Sequence, residues 1–139
     1  MSPRNRVTFD TVREIGRQLP GVEAGTAYGS PMLRVNGRIF TGIAVNRQAE
    51  PDSLMVYVAD FEQRDMLLEE DPDTYYVKPH YERAPVVLVR LSRVTREALE
   101  DLVRGAHRIV SRMPPARGRA RKPAARRPRS LGRGSTRRP

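Results

Sequence analysis

The chain contains no cysteine, which excludes disulfides, thiolate metal sites and a cysteine nucleophile. The same absence suits a reducing compartment. No apolar run approaches the roughly 18 residues needed to span a bilayer. The first residues, Met1 to Val7, are polar and carry Arg4 and Arg6 with no apolar stretch behind them, unlike a secretory signal. A soluble, cytoplasmic protein without a membrane partner is the expectation. Lysine is scarce too: of 26 basic residues only Lys78 and Lys122 are lysines, a bias that GC-rich codon usage alone produces. The most informative scarcity is local. From Pro114 to Pro139 there is not one Asp or Glu.

That stretch nevertheless holds ten cations: Arg117, Arg119, Arg121, Lys122, Arg126, Arg127, Arg129, Arg133, Arg137 and Arg138. Residues 1–113 hold 16 Arg or Lys against 16 Asp or Glu. The formal charge of +10 therefore belongs to a tail and not to a basic fold. Of the 26 tail residues, 22 are Arg, Lys, Pro, Ala or Gly, and Leu131 is the one large aliphatic. Such a segment buries too little apolar surface to offset its ordering entropy, so residues 114–139 are predicted to be a disordered basic tail. Residues 1–113 have the usual size of one domain and are long enough for a single core.

Within that domain, residues 8 to 19 read as an amphipathic helix. Phe9, Val12, Ile15 and Leu19 share a face, Thr8 is placed to cap the start, and Pro20-Gly21 stops it. Val22 to Tyr28 is short and rich in small residues, an irregular edge strand. Met32 to Val35 and Arg38 to Val45 flank Asn36-Gly37, a favoured two-residue hairpin turn because both positions accept positive φ. Ser53 to Ala59 alternates as a further strand. Asp60 opens a second helix with Gln63 set to complete an acidic capping box, and Phe61, Leu67 and Leu68 are its apolar positions. Tyr75 to Tyr81 is mixed, and Pro85 to Leu91 is a nearly continuous apolar strand. Thr95 then caps a last helix in which Leu99, Leu102, Val103, Ala106 and Val110 follow helical spacing, up to Pro114-Pro115. Short turns between neighbouring strands predict an α+β fold, two-layered, with a mainly antiparallel sheet and helices on one face.

Three stretches together resemble the MmcQ/YjbR family of small bacterial proteins. They are LPGVEAGTAYGSPMLRVNGRIF from Leu19 to Phe40, DPDTYYVKPHY from Asp71 to Tyr81, and VVLVRL from Val86 to Leu91. The similarity runs from about Val7 to Val110 and leaves out the tail. It implies a two-layer α+β fold likened to a double-wing DNA-binding motif. Two positions depart from the family's habit: Ala84-Pro85-Val86 stands where a Trp is often found, and Arg38 where Lys is common. The missing Trp removes a candidate stacking residue.

Two regions of the domain have the chemistry of a nucleic-acid contact. Arg34 and Arg38 flank the hairpin turn, placed to straddle a phosphate backbone with Asn36 nearby, although solvated arginines on an ordinary hairpin would look the same. Tyr75, Tyr76, Lys78, His80, Tyr81 and Arg83 interleave aromatic and basic side chains, the mixture that single-stranded nucleic-acid binders use for bases and phosphates. The alternative is that Tyr75 and Tyr76 simply close the core. In the tail, Arg117-Gly118-Arg119 resembles the centre of a minor-groove hook, with Ala120 where that motif has Pro.

Catalysis finds no counterpart to these signals. Gly29-Ser30-Pro31 lacks the G-x-S-x-G of a nucleophile elbow, and His80 and His107 have no metal-ligand spacing. His107 lies beside the apolar stripe of the last helix and reads as a boundary residue. No glycine-rich phosphate loop follows a strand. The expectation is a non-enzyme without cofactor or metal that binds nucleic acid, DNA first among candidates, mainly through its tail and without sequence preference. A protein- or small-ligand-binding module with an incidental tail is the other reading.

Overall fold

The computed structural model describes residues 7–116. The ten tail cations from Arg117 to Arg138 lie outside the described residues. Helix α1 spans Phe9–Arg17, and its start is closed by two threonines. Thr8 Oγ1 accepts from the Asp10 amide at 3.2 Å, and Thr11 Oγ1 accepts from the Thr8 amide at 3.3 Å. Strands β1 (Glu23–Ala27), β2 (Ser30–Val35), β3 (Arg38–Ile43) and β4 (Ser53–Tyr57) follow, then α2 (Phe61–Glu70), β5 (Tyr75–Tyr76), β6 (Val86–Arg90) and α3 (Arg96–Ser111). The strands form one six-stranded sheet in the order β1-β2-β3-β4-β6-β5, antiparallel at every pair. No helix among the described residues is long and apolar enough to cross a membrane.

The β2–β3 turn is the expected one: Asn36 has φ 61° and Gly37 φ 76°, both left-handed. Just behind it, Thr41 pairs with Leu33 while Ile39 pairs with Arg34, so Phe40 is an extra residue in β3. This bulge turns Phe40 into the core, where it is fully buried with its ring edge-on to His107. His107 is buried beside it with Nε2 2.8 Å from the Pro20 carbonyl oxygen, so this histidine ties α3 to the end of α1.

Alternation along the strands divides the sheet into two faces. Leu33, Leu54, Val56, Val87 and Val89 meet Val12 and Ile15 of α1 and Leu99, Val103, Ala106 and Val110 of α3 in one core. The opposite face carries a row that crosses the sheet: Met32 stands against Gly42, Gly42 against Met55, Met55 against Leu88, and Leu88 against Tyr76. Leu88 is fully buried on this second face. At its β6–β5 side the β3–β4 loop reaches over: the Glu50 amide donates to the Tyr76 hydroxyl at 2.8 Å, and Ser53 Oγ is hydrogen-bonded to the same oxygen.

Helix α2 departs from its expected apolar face. Asp60 does accept from the Gln63 amide at 2.8 Å, and Gln63 Oε1 accepts from the Ala59 amide at 2.7 Å. Phe61, however, is 46% exposed, Leu67 and Leu68 are half-buried, and the buried residue of the helix is Arg64 at 9%. Arg64 Nη1 donates to the carbonyl oxygens of Ala84 and Val86 at 2.9 and 3.3 Å, and Nη2 to that of Glu82 at 3.2 Å. Its guanidinium also lies 4.8 Å from the Phe61 ring centre. The chain between Glu82 and Val86 offers carbonyls that no strand partner takes, and buried carbonyls need donors. That need draws a cation inward and leaves the phenyl ring as its cover.

Candidate nucleic-acid interface

The tip of the β2–β3 hairpin is not free. Beyond α3 the chain runs back to it and is held by three hydrogen bonds. Asn36 Nδ2 donates to the Met113 carbonyl oxygen at 2.9 Å, Arg38 Nε to that of Pro114 at 2.7 Å, and the Ala116 amide to that of Asn36 at 3.2 Å. Residues Met113 to Ala116 are thus attached to the hairpin. Arg117, the first cation of the basic segment, follows Ala116 directly.

Beside this junction, on the sheet face away from α1 and α3, lies a shallow groove of about 450 Å³. Arg34 and Arg38 border it, Ile39, Met55 and Tyr57 line it, and Ala116 closes one side. No carboxylate lines it. Glu23 stands across from Arg34 on β1 without forming an ion pair. Arg34 Nε is buried with no hydrogen-bond partner among the described residues. Tyr57 is half-buried, and no hydrogen bond engages its hydroxyl among the described residues. Sequence reasoning placed Arg34 and Arg38 correctly at the turn but passed over Tyr57, whose only signal was an outward position in an alternating strand.

The 75–83 region is built differently from its composition. Tyr75 and Tyr76 are buried, and burial raises the Tyr75 phenol above its ordinary range, with Asp71 and Glu70 adding to the effect. Tyr81 is half-buried and its hydroxyl accepts from the Asn46 amide at 3.4 Å. Pro79–Tyr81 forms a short 3₁₀ turn, with the His80 amide donating to Gln48 Oε1 at 2.9 Å and the His80 ring edge-on to Tyr81 at 4.9 Å. Lys78, His80 and Arg83 are exposed. This segment leaves the sheet from β5, three strand spacings or about 14 Å from β3. The hairpin arginines and the 78–83 cations are thus two regions and not one patch.

The charge of the domain is unevenly spread. From Asp60 to Asp73 there are seven carboxylates and one cation, Arg64, which is buried against carbonyls. This acidic stretch packs on the β6–β5 side of the sheet, whereas Arg34 and Arg38 sit on β2 and β3. Among the described residues no three histidine or acidic side chains gather where they would hold a metal ion.

The YjbR family profile matches residues 17–109. The chain belongs to the YjbR family. All three stretches that carried the resemblance, between Leu19 and Leu91, fall inside that match. Among solved structures, the YjbR domain is similar to Deinococcus radiodurans protein DR2400, a crystal structure with a DUF419 domain. The two share 23% identity with a TM-score of 0.64, over 77% of this chain and 80% of that one. At that identity the likeness is one of fold. No curated protein matches the chain.

Proposed function

We propose that this protein binds nucleic acid, DNA first, largely without sequence preference, through the basic segment that begins at Arg117, with the YjbR domain orienting that segment. The reading is of a binding protein and not an enzyme. The observation that carries it is the three-bond attachment of Met113, Pro114 and Ala116 to the hairpin. Ala116, the residue that precedes the ten-cation segment in the chain, lines the same groove as Arg34 and Arg38. A polyanion drawn to the segment meets these arginines next, while the carboxylates of α2 repel phosphate from the other side of the sheet. Phosphate contacts of this kind position a protein without reading bases.

The test is a fluorescence-anisotropy titration on duplex DNA over a range of salt. Each neutralised phosphate releases condensed counterion, so log affinity falls linearly with log salt, by about 0.9 per contact. The full chain is expected to show a slope of magnitude roughly 4 to 8, and a chain ending at Ala116 a slope near zero. Equal slopes for the two would overturn the reading and favour a protein- or small-ligand-binding module.

A further inference from the structure

We propose that the groove between Arg34, Arg38 and Tyr57 is a site for single-stranded nucleic acid, one unstacked base lying on Tyr57 and its flanking phosphates on the two arginines. This rests on the nucleic-acid reading above and adds to it a strand preference and a base contact that the tail alone does not supply. The floor of the groove is apolar, made by Ile39, Met55 and the ring of Tyr57, and its rim is cationic with no carboxylate. A duplex offers phosphates to such a rim but keeps its base faces stacked, so the floor would go unused. A single strand offers both parts, a π-face for an aromatic platform and phosphates for cations.

The side chains are set for this use. Arg38 is fixed by its Nε bond to the Pro114 carbonyl, and its two amino groups have no partner among the described residues. The Arg34 side chain makes no hydrogen bond or ion pair among the described residues. Its Nε is enclosed, but its two amino groups are not among the buried unpartnered atoms and are the groups that would meet a phosphate oxygen. Tyr57 differs from the two tyrosines at the far side of the face, Tyr76 and Tyr81, whose hydroxyls are occupied by backbone amides. It is also held firmly, since Tyr57 pairs with Val86 across β4 and β6 and packs on the core edge. A rigid ring loses little freedom when a base stacks on it.

The experiment uses the full chain with labelled oligothymidine, oligouridine and a duplex of equal length, read by anisotropy over the same range of salt and compared at each concentration. Oligothymidine or oligouridine is expected to bind about tenfold more tightly than duplex, and Tyr57→Ala to remove that advantage while leaving duplex affinity unchanged. Tyr57→Phe retains the ring and is expected to retain the preference, which keeps the test sound if the alanine variant folds poorly. Arg34→Gln should weaken strand binding with Tyr57 intact. Equal affinity of the unaltered chain for strand and duplex would overturn the proposal. So would competition by a mononucleotide at concentrations comparable to the strand, which would assign the groove to a small ligand. A steep salt slope without any effect at Tyr57 means the groove is wrong and the tail reading stands. A flat salt slope means the tail reading has failed first.

Discussion

The Nε–H of Arg38 ends on the carbonyl oxygen of Pro114 at 2.7 Å, joining a tight turn to a residue 76 positions later in the chain. With Asn36 on Met113 and Ala116 on Asn36, the bond converts the hairpin tip from a projecting loop into an anchor. Asn36-Gly37 serves the anchor twice, since its left-handed backbone makes the turn while the Asn36 amide reaches the returning chain.

Breaking the anchor should loosen the end of the domain more than its core. Arg38→Ala removes one charge-assisted but exposed hydrogen bond, which is expected to cost about 1 kcal/mol and to lower Tm by roughly 4–8 °C. Amide exchange at Ala116 should accelerate in the same variant, read by hydrogen–deuterium exchange. An unchanged midpoint with unchanged exchange would mean that the anchor adds nothing to the fold.

Two glycines meet Leu33 and Met32 equally closely but should respond differently to a methyl group. A Cβ on Gly42 would lie 2.6 Å from Met32 Cβ and 3.1 Å from its Cα, both held by the β2 backbone. On Gly16 it would lie 2.6 Å from Leu33 Cδ1, the end of a side chain and not backbone. Gly42→Ala is therefore expected to destabilise by about 1–3 kcal/mol. Gly16→Ala should cost less, because better helix propensity returns about 1 kcal/mol. Urea denaturation of both variants checks the order, and the reverse order would mean that β2 and β3 can separate at this pair.

Tyr28 sits at the β1–β2 turn with φ 53° and is 93% exposed. A bulky side chain gains nothing there from burial and bears the steric cost of the left-handed region, about 1–2 kcal/mol. Tyr28→Asn keeps the turn and relieves that cost, so a stability gain of about 1 kcal/mol is expected in thermal unfolding. A loss instead would reveal a contact made by the ring.

What was legible in the sequence was whatever a residue and its near neighbours decide. Thr8, Asp60 and Thr95 cap helices where their side chains suggested, because a cap needs only the next two or three amides. The Asn36-Gly37 turn is local in the same sense. The expected order of elements holds from the edge strand at Glu23–Ala27 to the antiparallel pairing, except that Tyr75–Tyr76, in a stretch read only as mixed, forms the short strand β5. Arg64 gave no sign of its burial, because its attraction comes from carbonyls around 20 residues away. Tyr76 and Tyr81 looked like a binding surface for the same reason: the amides that take their hydroxyls belong to a loop more than 25 residues earlier. The groove at Tyr57 depends on where residues 113–116 return, and no local pattern encodes that return.

The pairing of Glu50 with Arg90 gives the domain a pH dependence whose sign is fixed. Arg90 Nε and Nη2 donate to Glu50 Oε1 and Oε2 at 2.9 and 2.7 Å, and its Nη1 donates to the Pro72 and Asp73 carbonyl oxygens, each at 3.1 Å. The guanidinium also covers Tyr76 at 4.3 Å from the ring centre. Hydrogen bonding to Arg90 holds the Glu50 carboxyl below its ordinary range. A depressed folded value means that the pair's contribution is fully present above the unfolded value of about 4.3 and fades as pH falls through the lower, folded one. Glu50→Gln should therefore lower the denaturation midpoint slightly at neutral pH, since the pair is solvent-exposed and screened. The gap between variant and unaltered chain should close below about pH 4. Denaturant midpoints of both chains across that range measure it, and a gap that stays constant with pH would show that Glu50 holds the β3–β4 loop by shape and not by charge.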